Sequence, residues 1–285
     1  MTGPPNCHTL EDLRSEIDRI DAALHFLLME RGEIIHKLIE AKGRQGGGLA
    51  FRPGREAEMM RKLVLRHKGL LPLDTVEGIW RIIISTFTFV QSNYSVHADI
   101  SDGDAAMRDS CRFHFGFTVP YIAHQSAAHV IASVAASSSD LGIVRAETAR
   151  QAGPWWRALA GAEAPKIIAR LPFVERGDHP AGMPVFVIAK PLAEAAARDV
   201  VLFGVTFSDV NAGSDFALSC AGRGFEVLGQ SRDKAGFSLM VAANGGADDL
   251  REEIARAAEG GAEIAEAGSH AARFDLSLAG KAAAQ

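Results

Sequence analysis

Three cationic side chains, Arg14, Arg31 and Lys42, lie in one segment whose apolar residues recur at helical spacing. Arg31 and Lys42 are eleven residues apart, and eleven steps of about 100° return to nearly the same side of a helix with a rise of about 16 Å. Two long cationic side chains on one side of a helix can hold the two ends of a small anion. Arg14 precedes Arg31 by about 25 Å along the axis. It is therefore either a surface charge or a contribution to a pocket on a partner chain.

A long helix is needed to position these cations, and the sequence predicts one from Thr9 to about Gly43, where a glycine-rich tract ends it. Its apolar residues recur mostly at steps of three, four and seven, which is typical of one buried helical face. They are Leu10, Leu13, Ile17, Ile20, Leu24, Leu27, Leu28, Ile34, Ile35, Leu38 and Ile39. A helix of this length spans roughly 50 Å. Two shorter helices, predicted at about 53–68 and 74–94, cannot cover it, so we expect two chains to interlock as a two-fold dimer.

Beyond about residue 98, short apolar runs alternate with helical stretches, which is typical of an α/β module. Strands are predicted at 118–122, 141–144, 166–170 and 183–189, and helices at 107–115 and 127–136. From about residue 199 the order strand, helix, strand, strand, helix, strand is typical of a ferredoxin-like sandwich. The predicted fold class is multidomain: an N-terminal all-α intertwined helical dimer, then an α/β module, then a ferredoxin-like α+β unit.

Length, net charge and cysteine content argue against several classes of function. The 285 residues are enough for two or three small domains, and the net charge of −5 gives no electrostatic footprint for nucleic acid. Three scattered cysteines (Cys7, Cys111 and Cys220) predict a reducing compartment and no disulfide framework or metal site. The polar N-terminus predicts no signal peptide, and no apolar run is long enough for a membrane span. We therefore expect a cytoplasmic protein that binds neither nucleic acid nor membrane.

Five short motifs in the helical region resemble, in order and spacing, the all-helical chorismate mutases. They are Leu13-Arg14, Leu27-Leu28-Met29-Glu30-Arg31, Ile39-Glu40-Ala41-Lys42, Arg52-Pro53-Gly54-Arg55-Glu56 and Gln91. The resemblance covers roughly residues 9–95. Because those enzymes are intertwined dimers, it implies a homodimer in which Arg14 enters the active site of the other subunit.

The resemblance also implies how chorismate would be bound and rearranged to prephenate. Six residues would contact the substrate: Arg14, Arg31, Lys42, Arg55, Glu56 and Gln91. The arginines would hold the carboxylates, Lys42 and Gln91 would donate to the ether oxygen, and Glu56 would accept from the ring hydroxyl. The rearrangement is one pericyclic step, so no cofactor or metal is expected. Catalysis would consist of holding a compact conformer and stabilising charge on the breaking bond.

The remaining segments carry weaker resemblances. Residues 98–195 are similar to a shortened prephenate dehydratase domain, although the Thr-Arg-Phe motif that marks active dehydratases is absent. Arg112, His114, His124 and His129 would line a remnant pocket there, or simply be surface and core residues. Residues 199–278 resemble an ACT regulatory domain by their element order and by Asn211-Ala212-Gly213. An aromatic amino-acid effector and pure dimerisation both remain open for this unit.

The predicted function is therefore that of a chorismate mutase in aromatic amino-acid biosynthesis. One turn before Gln91, Phe87 stands where this family often has a serine that contacts the substrate. The alternatives are a bifunctional chorismate mutase and prephenate dehydratase, a non-catalytic sensor of an aromatic amino acid, and a lyase acting on isochorismate. Phe87 favours the sensor.

Overall fold

The computed structural model describes residues 9–43, 50–146, 153–191, 197–245, 247–258 and 261–276. The glycine-rich tract after residue 43, the C-terminal tail beyond residue 276 and Cys7 lie outside these ranges. The chain divides into two compact units, Met1–Gly48 and Leu49–Gln285. No helix in the described ranges combines the length and apolar character needed to cross a membrane.

The first unit consists of one long helix, α1 (Leu10–Gly43), as the sequence predicts. A reciprocal cap starts it: the Thr9 hydroxyl accepts from the Asp12 backbone N–H at 3.1 Å, and the Asp12 carboxylate accepts from the Thr9 N–H at 3.0 Å. Such a cap satisfies backbone donors that have no partner within the first helical turn. The helix then runs for 34 residues without a break.

The second unit begins with two further helices, α2 (Pro53–Arg66) and α3 (Leu73–Gln91). Two apolar residues of α3, Ile79 and Val90, are exposed. Its buried side carries Val76 and Ile84 together with four polar residues, Glu77, Arg81, Ser85 and Thr88. The two charged ones have partners outside the helix: Glu56 pairs with Arg81, and Arg176 and His179 contact Glu77.

An α/β body follows the helices, and within the described residues nine of its strands form one mixed sheet. The strands are β1 (Val96–Asp99), β2 (Tyr121–His124), β3 (Leu141–Arg145), β4 (Lys166–Leu171), β5 (Val174–Glu175), β6 (Val185–Ala189), β7 (Val200–Phe207), β8 (Glu226–Asp233), β9 (Gly236–Asn244), β10 (Ala262–His270) and β11 (Phe274–Asp275). The helices are α4 (Asp104–Phe115), α5 (Ala127–Ala136), α6 (Val210–Cys220) and α7 (Ala247–Ala257), with short 3₁₀ turns at Trp155–Leu159 and Ala221–Arg223. Strands β5 and β11 form a separate two-stranded sheet.

The order across the large sheet is β2-β1-β3-β6-β4-β10-β7-β9-β8. Strand β1 pairs in parallel with β2 and β3, whereas β10, β7, β9 and β8 are antiparallel neighbours. The predicted ferredoxin-like order is confirmed in this second group. The strand predicted at 118–122 begins instead at Tyr121, after Pro120, which has no N–H to donate to a neighbouring strand. Strand β1 was not predicted, since four residues are too short for a clear pattern.

The two halves of the large sheet are fused rather than merely adjacent. Strand β10 pairs in parallel with β4 through Gly268 and Ile167. A common apolar core spans both halves and includes Ile188 from the first and Leu202 from the second. Trp156 is buried in this core, and its indole N–H donates to the Ser238 hydroxyl at 3.0 Å.

Candidate functional site

The apolar residues of α1 form one continuous seam along the helix. They are separated alternately by three and four residues, apart from one step of seven between Leu27 and Ile34: Leu10, Leu13, Ile17, Ile20, Leu24, Leu27, Ile34 and Leu38. Their exposed fractions run from 38% at Leu38 to 73% at Leu10. This spacing is typical of helices that pair along their length, and an exposed apolar patch of this extent marks an interaction surface.

Arg31 occupies a position of this seam, four residues after Leu27 and three before Ile34. Its side chain is half-buried, whereas Arg14 near the start of the helix is exposed. Lys42 lies in the last turn of α1, and its side chain is outside the described part of the chain. The unbroken helix keeps Arg14 about 25 Å from Arg31 along the axis. One copy of α1 therefore cannot bring both arginines to a small ligand.

In the second unit, the adjacent residues Arg55 and Glu56 lie in different environments. Arg55 is exposed in the first turn of α2, while Glu56 is buried. The guanidinium of Arg81, itself only 1% exposed, donates to the Glu56 carboxylate at 2.7 Å and to the His114 carbonyl at 2.9 and 3.2 Å. Burial raises the pKa of Glu56, and the charge of Arg81 opposes that shift. The Glu56 carboxylate is thus already held inside its own unit.

Gln91 ends α3, and its side-chain amide donates to the Phe87 carbonyl at 3.0 Å. Glu56 meets the same helix at Arg81, ten residues earlier, which corresponds to about 15 Å along the axis. The structure therefore places Arg55 beside Glu56 but does not bring Glu56 to Gln91. Phe87 lies one turn before Gln91 and is half-buried.

A buried network that the sequence analysis missed surrounds Glu77. The Arg176 guanidinium donates to its carboxylate at 2.6 Å, and the His179 ring lies 3.2 Å from the other oxygen. Burial by itself would raise the pKa of Glu77, but the hydrogen bonds and charges of His179 and Arg176 outweigh it and lower the pKa. The His114 ring stacks 6.0 Å from the His179 ring. Burial, with the charges of Arg81 and His179, holds the pKa of His114 well below its ordinary value.

One signal in the sequence could have indicated this network. Glu77, Arg81, Ser85 and Thr88 recur at steps of four, four and three, which places them on one side of a helix. A polar series at that spacing indicates either a solvated side or a buried network. Whether this side is solvated or buried depends on Arg176 and His179, which are about 100 residues away from Glu77 in sequence.

Of the four residues predicted for a remnant pocket in the middle module, Arg112 and His114 have separate structural partners, while His124 and His129 lie near each other. Arg112 donates to the Gly116 and Val119 carbonyls at 3.0 and 3.1 Å and so supports the end of α4. His114 belongs to the network around Glu77. The His129 ring lies 3.1 Å from the Ser126 hydroxyl, which caps α5.

His124 joins a second group that was not predicted. Its ring nitrogen lies 2.8 Å from the His97 ring, whose other nitrogen lies 3.3 Å from the Asp140 carboxylate. Burial lowers the pKa of His124, and the neighbouring His97 and His129 lower it further. Within the described ranges, no group of three ligating side chains has the arrangement that a metal ion requires.

The Asn211-Ala212-Gly213 motif has a structural explanation. The Asp209 carboxylate caps α6 by accepting from the Asn211 backbone N–H at 2.8 Å. A Cβ atom at Gly213 would lie 2.4 Å from the Phe237 ring, so only glycine allows α6 to pack this closely on β9. The motif therefore serves helix packing within this unit.

Comparisons with known proteins identify the family of the N-terminal region. Residues 13–92 match the family described as chorismate mutase type II, so the N-terminal region carries a domain of that family. The chain is 28% identical over 142 residues to a bifunctional chorismate mutase/prephenate dehydratase from Aquifex aeolicus, covering 48% of this chain and 39% of that protein. It is 38% identical over 72 residues to the protein of the same description from Neisseria gonorrhoeae, covering 25% of this chain and 19% of that one. The matches thus span well under half the length of these relatives.

Solved structures show a more distant likeness. Prephenate dehydratase from Streptococcus mutans matches 63% of this chain and 98% of its own, with a TM-score of 0.40 and 9% identity. Prephenate dehydratase in complex with L-Phe from Arthrobacter aurescens matches 66% of this chain and 97% of its own, with a TM-score of 0.42 and 12% identity.

Proposed function

We propose that this protein is a chorismate mutase that converts chorismate to prephenate with its N-terminal helical region. The observation that carries the proposal is the match of residues 13–92 to chorismate mutase type II, over the segment that holds the spaced cations of α1. Arg31 and Lys42 lie on nearly one side of a continuous helix, where they can face one small dianion. The activity belongs to aromatic amino-acid biosynthesis, and we place it in the cytoplasm.

Catalysis would be electrostatic and conformational. Chorismate rearranges in a single step without a nucleophile, so the protein gains rate by holding the compact conformer and stabilising charge on the ether oxygen. Arginine forks bind carboxylates through two oxygens, which suits Arg14, Arg31 and Arg55. Lys42 and Gln91 would donate to the ether oxygen. Glu56 would accept from the ring hydroxyl, a role that its ion pair with Arg81 opposes.

The active form would be a homodimer paired through α1. The exposed apolar seam of α1 supports this assembly, because apolar residues at this spacing are typical of helices that pair along their length. Arg31 interrupts the seam, so pairing of two helices would place this cation at their interface, where an anionic ligand would favour its burial. Arg14 would then reach the ligand of the other subunit, since it lies too far from Arg31 on its own helix.

Chorismate consumption, followed spectrophotometrically with identification of the product, tests the proposal. Arg31→Ala and Lys42→Ala should each reduce kcat/KM by about 100- to 1000-fold, as expected when a preorganised charged donor is lost. Lys37→Ala is the matched control, because Lys37 is exposed about 120° from Arg31 around the helix. A folded Arg31→Ala or Lys42→Ala protein with wild-type turnover contradicts the proposal.

Mixed dimers test the sharing of the site. Arg14→Ala and Arg31→Ala should each be inactive alone, since each removes one residue from both sites. When the two variants are unfolded together and refolded, mixed dimers regain one intact site, and about a quarter of wild-type activity should return. If mixing restores nothing while sedimentation shows that mixed dimers formed, Arg14 does not act across subunits.

Dehydratase activity is a second candidate, because the 142-residue alignment with the Aquifex aeolicus protein is longer than the mutase region alone. Incubation with prephenate and assay for phenylpyruvate decides it, and absence of phenylpyruvate excludes the bifunctional alternative. The C-terminal unit would be an ACT-like module that binds an aromatic amino acid. Phenylalanine or tyrosine at 100 times its Kd should then stabilise the protein by about 2.7 kcal/mol.

A further inference from the structure

A polar cavity of about 240 Å³ lies where the two halves of the large sheet meet. Its lining includes Arg170 at the end of β4, His270 at the end of β10, and Arg273 just before β11. Two carboxylates, Glu175 on β5 and Glu226 on β8, and the amide of Asn244 on β9 complete the polar part of its wall. All of these residues belong to the second unit, whereas the cations of α1 belong to the first.

Arg170 is a buried cation without adequate compensation. Its side chain is only 12% exposed, yet its one ion pair in the described structure is a long contact of 3.9 Å to Glu226, which is 63% exposed. Its buried Nε atom has no hydrogen-bond partner there. Phe186 covers the guanidinium at 5.9 Å from the ring centroid. In the chain by itself, the desolvation of this charge is offset by few favourable contacts. An anionic ligand would supply the missing hydrogen bonds and the opposite charge.

Arg273 and His270 extend the same surface. Arg273 is also 12% exposed and pairs with Glu175 at 2.6 Å, and burial with the nearby charge of Arg170 lowers its pKa. The two guanidinium groups are thus close enough to repel each other. His270 donates through Nδ1 to the Ala271 carbonyl at 2.8 Å, since a carbonyl can only accept. Its Nε2 atom is buried without a partner in the described structure and is the accepting nitrogen of the neutral ring.

We propose that this cavity binds a small oxyanion, a carboxylate or phosphate group, between Arg170 and Arg273. Planar guanidinium groups bind both kinds of group through paired hydrogen bonds. The oxyanion would compensate Arg170 directly and share Arg273 with Glu175. Glu226 competes weakly for Arg170 because it is exposed and distant. The unused Nε2 of His270 favours a ligand that carries a hydroxyl hydrogen, as monohydrogen phosphate does and malonate does not.

Isothermal titration of the full-length protein with sodium phosphate and, separately, sodium malonate tests the proposal. Sodium chloride keeps the ionic strength constant, so general screening is the same in all titrations. At least one probe should bind saturably with one site per chain. Stronger binding of phosphate assigns the site to phosphate groups, and stronger binding of malonate assigns it to carboxylates. Absence of saturable binding for both probes overturns the proposal.

Three variants locate the site. Arg170→Gln should weaken binding by about tenfold or more, as expected for loss of a charge-assisted pair. Glu226→Gln should strengthen binding, because it removes the competing carboxylate. Arg108→Gln is the matched control, since Arg108 is exposed on α4 and pairs with Asp104 away from the cavity. Equal binding by the Arg170→Gln and wild-type proteins refutes the assignment.

Thermal unfolding without ligand distinguishes a ligand-binding role of Arg170 from a structural role. If Arg170 serves a ligand, Arg170→Gln should leave the Tm unchanged or raise it, because the variant removes a poorly compensated charge. If Arg170 instead stabilises the fold through Glu226, both Arg170→Gln and Glu226→Gln should lower the Tm. Should Arg170→Gln fail to fold, the same titrations with Arg273→Gln decide whether the cavity binds the oxyanion.

Discussion

At the scale of residues, the buried charges of the second unit divide into satisfied and unsatisfied groups. Glu56 and Arg81 form a close pair, and Glu77 is held by Arg176 and His179. His114 differs, because both of its ring nitrogens are buried without a hydrogen-bond partner in the described structure. Its neutral form is the one that this environment tolerates, which makes it a source of pH-dependent stability.

We predict that His114→Gln reduces the loss of stability on acidification. The folded protein keeps His114 neutral because burial lowers its pKa, whereas the unfolded chain takes up a proton below about pH 6.5. The unfolded state therefore binds more protons at pH 5, and stability falls as the pH falls from 7 to 5. A single histidine that stays neutral throughout contributes about 2 kcal/mol to this loss.

Urea unfolding at pH 7 and pH 5 measures the effect. His129→Gln is the matched control, since His129 is exposed and should leave the pH dependence nearly unchanged. An identical loss of stability in the wild-type and His114→Gln proteins contradicts the role given to His114.

Residue types and spacing predicted part of this picture. The placement of the α1 cations around the helix could be predicted from their spacing alone, because a continuous helix fixes the direction of each side chain. The burial of Glu56 does not, because its partner Arg81 lies on another helix and both are covered by later parts of the chain. Spacing within one helix is a local property, whereas the pairing of buried charges depends on tertiary contacts.

At the scale of elements, the order of helices and strands could be predicted from the sequence. Which side of each element is buried and which strands are neighbours in the sheet could not. The strand at 141–145 lies close to its predicted bounds of 141–144, because an uninterrupted apolar run indicates a buried strand. The junction of β4 with β10 could not be predicted. It depends on Gly268, whose φ of +143° is rare for other residues and whose position directly faces the Ile167 backbone.

We predict that Gly268→Ala destabilises the protein by about 3 kcal/mol or more, combining backbone strain with overpacking. A Cβ atom at this position would lie 2.1 Å from the Ile167 carbonyl oxygen, which cannot move without disturbing the pairing of the two strands. The free energy of unfolding in urea measures the loss.

Gly245→Ala is the control for strain alone. Gly245 has a φ of +122°, but a Cβ atom there would meet nothing within 4 Å. Equal losses in the two variants would show that the contact with Ile167 contributes nothing.

At the scale of the whole molecule, the seam of α1 supports the proposed dimer. A polar substitution in the seam should therefore change the assembly more than the fold of one subunit. We predict that Leu24→Glu, at an exposed seam position, converts the dimer to monomers and abolishes mutase activity, because a charged residue opposes apolar helix pairing.

Sedimentation velocity measures the change in mass, and the Lys37→Glu protein is the control for added negative charge outside the seam. A Leu24→Glu protein that remains dimeric and active would place the interface elsewhere.

The fused sheet has a consequence for dissecting this chain into parts. The sequence pattern changes near residues 195–199, which suggests a domain boundary at which the chain could be truncated. However, β4 and β10, which are neighbours in the sheet, lie on opposite sides of that boundary in sequence. A fragment ending at that boundary would lose β10 and leave one side of β4 without its partner, open to pairing with other chains. It would also lose the side chains that Leu202 and Met240 contribute to the common core. Such a fragment should aggregate when expressed, so the properties of either half have to be measured in the intact polypeptide.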